Sequence, residues 1–189
     1  AALSTASGTA LDDALYLLQL LNALPAMAAL FADPALATSE ALLARVYAPV
    51  IDGFFGPRHN FTVRRSAPVP WMSGELVPSL VIELASTRLP LLVAETATPP
   101  PASEPSVDDS SLSEAVAKLG AEMTMALTFL RRTVPASVLV DLSTRFTLFG
   151  LVIAGRRVYV YFLGYDTAGN DYVLQHYARA GLNMAIPAD

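Results

Sequence analysis

The chain has 189 residues, of which 53% are hydrophobic and only 15% charged, and it carries a formal charge of −5. With no cysteine, it excludes disulfides, thiolate metal centres and thiol nucleophiles. The negative balance argues against broad, sequence-independent binding of nucleic acid, which needs clustered Lys and Arg to displace counterions, while leaving room for a local basic patch.

A mean hydropathy of +0.46 implies a large core, or an apolar surface that a protein partner or a second copy covers. The length fits one domain with a helical extension. Residues 1–37 read as that extension, with helical pattern from about Leu11 to Leu24. Residues 14–32 are apolar enough to raise the question of a membrane span, but Gln19, Asn22 and Pro25 interrupt them. Their flanks are acidic (Asp12, Asp13 and Asp33), where a span or leader carries basic residues. Two buried helices are therefore expected, without a membrane span, in an intracellular protein of cytoplasm or nucleus.

Residues 38–189 read as the main domain. A helix starts near Thr38-Ser39-Glu40 and runs to about Phe55, with Leu42, Leu43, Val46, Tyr47, Val50 and Ile51 on one face. Three strands follow. Phe61 to Ser66 alternates, with Phe61, Val63 and Arg65 on one side and Thr62, Arg64 and Ser66 on the other. Ser79–Leu84 and Leu89–Ala94 are almost continuously apolar, so both faces should be covered. Ala85-Ser86-Thr87-Arg88 makes an antiparallel turn between them.

Residues 98–110 are rich in Pro, Ser and Asp and read as a disordered loop. A capping box, Ser111-Leu112-Ser113-Glu114, opens a helix that reaches about Arg132 and buries Leu119, Met123, Ala126, Leu127 and Leu130. Strands are expected at Ser137–Leu142, Phe146–Ala154 and Val158–Leu163, the last two joined by a turn at Ala154–Arg157. A short helix at about Asp171 to Ala180 closes the chain.

Among 12 basic residues, Lys118 is the single lysine. The arginines include three adjacent pairs, Arg64-Arg65, Arg131-Arg132 and Arg156-Arg157, which would bind an acidic surface if they converged. His59 and His176 lie far apart in loop or helix-start positions.

The order helix, three strands, helix, further strands, with two buried strands of which one ends on Glu95, resembles the PD-(D/E)XK nuclease-like superfamily. Phe149-Gly150 and Gly155-Arg156-Arg157-Val158-Tyr159-Val160-Tyr161 are similar to a hairpin of its divergent, fungal-type members. The resemblance covers about two-thirds of the chain and implies an α/β, restriction-endonuclease-like core: helix, three-stranded antiparallel start, helix and further strands.

It also implies a site. In active members an Asp at the start of the second strand and an acid ending the third hold Mg²⁺ or Mn²⁺, and a Lys two residues on assists the chemistry. Carried over, these positions are Ser79, Glu95 and Ala97, so two of the three functional groups are missing. Some members carry the lysine on the following helix, which here implies Lys118, with Glu122 one turn later. Asp52 is the candidate second metal carboxylate beside Glu95. Glu83 is a poor one, because four residues of extended strand separate it from Ser79 by more than about 12 Å. Some viral relatives use a His upstream of the first Asp, where His59 lies.

The expectation is a catalytically degenerate nuclease-like domain, a pseudoenzyme without a cofactor, that serves as a protein-interaction or scaffolding module. The alternatives are a Mg-dependent nuclease with a migrated catalytic Lys118, and an unrelated α/β interaction domain.

Overall fold

The computed structural model describes residues 38–55, 60–72, 76–97, 109–134, 148–155, 157–166 and 171–181. The expected extension at residues 1–37, His59, the loop to residue 108, Arg156 and the strand at Ser137–Leu142 lie outside the described residues.

Thr38 opens the first helical segment by accepting the Ala41 N–H on its hydroxyl at 3.2 Å, a use of one of the donors a helix start leaves unpaired. Helix α1 (Ser39–Leu42) passes through a π-helical turn at Leu43–Tyr47 into α2 (Ala48–Phe55). There the Ala48 N–H reaches back to the Leu43 carbonyl. The irregular turn falls just before Pro49, which has no N–H to continue the regular ladder.

Strands β1 (Phe61–Arg65), β2 (Leu80–Leu84) and β3 (Pro90–Ala97) form an antiparallel meander. Helix α3 (Asp109–Thr133) then carries the chain across the sheet, and β4 (Leu148–Ala154) returns parallel to β3. Strands β5 (Arg157–Asp166) and β6 (Asp171–Gly181) complete, by antiparallel pairing, a six-stranded sheet in the order β1-β2-β3-β4-β5-β6. The architecture is α/β, with a mixed sheet and helices on both faces.

The period of two along each strand assigns side chains to the two faces. Leu80, Ile82, Ala94 and Ile153 pack with Leu43, Tyr47 and Ile51 on the α1–α2 face. Val81, Val93, Ala97, Val152, Tyr159, Tyr161 and Leu163 pack with Leu119, Met123, Ala126, Leu127 and Leu130 on the α3 face. Leu119 and Met123 are fully buried, each contributing roughly 1.5–3 kcal/mol by leaving water. Close approach of α3 depends on Gly150 of β4, where a Cβ would lie 2.4 Å from Met123 Sδ. On the opposite face the Tyr47 hydroxyl donates to the Gly155 carbonyl at 3.3 Å, tying the helices to the β4–β5 turn. Burial pushes the Tyr47 hydroxyl up to about 12.

Two expectations are corrected. Residues 171–181 form strand β6 rather than a short helix, because they pair along β5 from Asp166↔Asp171 to Arg157↔Gly181, with one bulge that leaves Tyr177 out of the ladder. Helix α3 begins at Asp109, so the Ser111–Glu114 segment lies inside the helix and does not cap it. Among the described residues, no helix is long and apolar enough to cross a membrane.

Candidate functional site

Four of the residues singled out from the sequence meet at one point on the α3 face of the sheet. Glu95 points to that face because it alternates with Ala94, and it is 3% exposed. Its neighbour across the sheet is Ser79, just before β2. The Ser79 N–H donates to Glu95 Oε1 at 3.0 Å, and the Ser79 hydroxyl donates to Glu95 Oε2 at 3.0 Å. Lys118 reaches the same carboxylate from α3, with Nζ 3.0 Å from Glu95 Oε2. Its ammonium also donates to the Val77 carbonyl at 3.1 Å, a partner that no side-chain motif in the sequence could have revealed.

Glu122 lies one helical turn beyond Lys118 and 3.8 Å from its Nζ. Its carboxyl is fully buried, and among the described residues neither oxygen has a hydrogen-bond partner at normal distance. Burial first, and then the charge of Glu95 and a hydrogen bond with it, push this carboxyl up to about 8 against the opposing effect of the Lys118 ammonium. Glu122 is therefore mostly protonated at neutral pH, which turns its contact with Glu95 from repulsion into proton sharing. With Glu122 neutral, Lys118 and Glu95 form a balanced pair.

The missing groups of the family pattern read physically in this setting. A second Asp at position 79 would repel Glu95 unless a cation lay between them, whereas Ser79 donates two hydrogen bonds to it. Ala97, two residues beyond Glu95 on the same face, is buried, and its methyl group packs in the α3-side core.

A divalent cation does not fit these residues. Mg²⁺ and Mn²⁺ need anionic or neutral oxygens with free lone pairs. Here the Glu95 oxygens already take three protein donors, burial favours the neutral form of Glu122, and the Lys118 ammonium stands 3.0 Å from Glu95 and 3.8 Å from Glu122. Among the described residues, no third Asp, Glu or His joins the two carboxyls.

Asp52, expected as a metal ligand, is not brought to Glu95. It lies on α2, which covers the opposite face of the sheet, and pairs with Arg65. Arg64 and Arg65 do not act as a pair: they are adjacent on a strand and so point to opposite faces, Arg65 to Asp52 and Arg64 to the buried Glu83. His176 is on β6, its ring 5.2 Å from that of Tyr161. Tyr159 and Tyr161 pack into the α3-side core rather than lining an open face.

No family model, no curated protein and no solved structure matches this chain.

Proposed function

We propose that the chain is a divergent PD-(D/E)XK-like domain whose catalytic position has become a permanent internal ion cluster, and that it works as a protein-interaction module. The observation that carries this reading is the place of Lys118 Nζ, 3.0 Å from Glu95 and 3.1 Å from the Val77 carbonyl. A tethered ammonium takes the position that a free cation would need. The family ancestry is supported by the element order: helix, antiparallel meander, crossover helix, and a strand parallel to the third.

The interaction role is supported by exposed apolar side chains on the β4–β6 half of the sheet. Phe149, Val173 and Tyr177 are exposed at 47%, 38% and 70%. Tyr177 stacks edge-on against Phe162 at 5.9 Å, and Phe162 is paired across the strands with Phe149, so these three aromatic residues lie together. Strand β6 also leaves one edge unpaired among the described residues, a template for a strand of a partner or of a second copy. A net charge of −5 favours a protein partner over nucleic acid. The lack of cysteine is in keeping with an intracellular setting, cytoplasm or nucleus.

Incubation with single- and double-stranded DNA and RNA in Mn²⁺ or Mg²⁺ tests the reading. The wild-type chain and Glu95→Ala are expected to leave all four substrates intact. Cleavage by wild type that Glu95→Ala abolishes would replace it with the nuclease that uses Lys118.

A further inference from the structure

The α3 face of the sheet holds a second buried carboxylate that the ion cluster does not use. Glu83 is on β2, four residues after Ser79, so roughly 13 Å of extended strand separates the two positions. Its side chain is fully buried. Arg64 Nε donates to Glu83 Oε2 at 2.9 Å, Arg88 Nη1 approaches the same oxygen at 3.3 Å, and Trp71 Nε1 donates to Oε1 at 3.3 Å. Two guanidiniums and one carboxylate leave a local charge of +1 in a chain that is acidic as a whole.

The two guanidiniums are held close together. Because both bond to one oxygen, the contacting nitrogens are within about 6 Å of each other. Arg64 and Arg88 are 24% and 43% exposed, so both are reachable from solvent. Each uses one nitrogen on Glu83, and its other N–H groups have no protein acceptor among the described residues. Glu83 thus fixes two forks at a sheet corner and neutralises only half of their charge.

The backbone gives a second, independent indication. Arg88 ends the β2–β3 turn with a φ of 59°, the left-handed region that favours glycine. The turn is otherwise regular: Arg88 N–H donates to the Leu84 carbonyl at 2.8 Å, and Leu84 N–H donates to Leu89 at 2.9 Å. Glycine would serve the turn at lower conformational cost, so the arginine side chain is what this position gains. Strained backbone retained beside unused donors points to a ligand.

We propose that Arg64 and Arg88, spread and oriented by Glu83, form a binding site for a phosphate-class oxyanion. A tetrahedral oxyanion has oxygens on several sides and can bridge two guanidiniums this far apart. A carboxylate matches a single fork and would leave the second unpaired. The site is separate from the Glu95–Lys118 cluster and does not rest on the reading proposed for it.

Calorimetric titration of the full chain with inorganic phosphate, at constant ionic strength in NaCl, tests the proposal. Wild type is expected to bind saturably. Arg88→Gly is expected to weaken binding about tenfold or more while the chain stays folded, since glycine accepts the left-handed turn and Glu83 keeps Arg64 and Trp71. Arg64→Lys, which keeps the charge but loses the fork, should also weaken it. Phenyl phosphate as a second titrant distinguishes the source: equal binding points to a phosphoryl group on a larger ligand, and binding of inorganic phosphate alone points to the free anion. Absence of saturable binding in wild type, or affinity unchanged in both variants, would overturn the site.

Discussion

Replacing Lys118 by methionine is expected to cost about 3 kcal/mol of folding stability at pH 7, measured by chemical denaturation. Methionine keeps most of the aliphatic stem but removes the ammonium, leaving Glu95 buried beside Glu122. Removing one partner of a buried pair costs about 3–5 kcal/mol, because an uncompensated charge stays behind. Two features hold the value to the lower end. Lys118 is itself 35% exposed, so water screens part of its interaction, and Glu95 keeps both donors from Ser79. A cost below about 1 kcal/mol, the value of a solvated surface pair, would mean that the cluster is not a structural centre.

The second large effect concerns pH. Glu122 ordinarily titrates near 4.5, and the fold pushes it up to about 8. Between those values the folded chain holds a proton that the unfolded chain has released, so stability falls as pH rises through this window. One proton limits the slope to about 1.4 kcal/mol per pH unit. Below about 4.5 both states are protonated and the penalty is absent; above 8 it is complete. Glu122→Gln keeps a neutral donor toward Glu95 but cannot titrate. Denaturation midpoints from pH 5 to pH 9 should therefore lose this downward component in the variant. Near pH 9 the variant should exceed wild type by a few kcal/mol. Parallel profiles for the two proteins would show that Glu122 is not the buried acid described above.

Much of this arrangement was legible in the sequence, and the exceptions have physical causes. The central strands β2 and β3 announce themselves as continuous apolar runs with a four-residue turn between them, since strands covered on both faces have no polar side. The Leu119–Met123–Leu130 stripe marks the buried face of α3 equally well. Strand β6 reads from the sequence as a short helix, and the structure overturns that reading. Its residues satisfy a helical pattern as well as a strand pattern, and the choice was made by pairing with β5, a contact outside the segment itself.

The site divides in the same way. That Lys118 and Glu122 share a helix face follows from their spacing, as does the place of Glu95 near the end of a strand. That they meet depends on α3 crossing the sheet over that strand, which no local pattern states. Burial of Glu122 was hidden because a Lys–Glu pair four residues apart ordinarily marks a solvated face. Asp52 was misplaced for a related reason: helical periodicity shows that α2 has an apolar face, but not which side of the sheet it covers. The Glu83 centre combines residues from β1, β2, the β2–β3 turn and Trp71. Their convergence is a property of the folded sheet alone.

The central claim is that the Lys118 ammonium stands where a metal ion would have to bind. Calorimetric titration of the wild-type chain with Mn²⁺ at pH 7 addresses it most directly, with Glu95→Ala as the control. No saturable heat up to millimolar Mn²⁺ is the predicted result, the same for both proteins. Saturable binding in wild type that disappears in Glu95→Ala would contradict the claim, because Glu95 would then have to exchange its lysine for a metal.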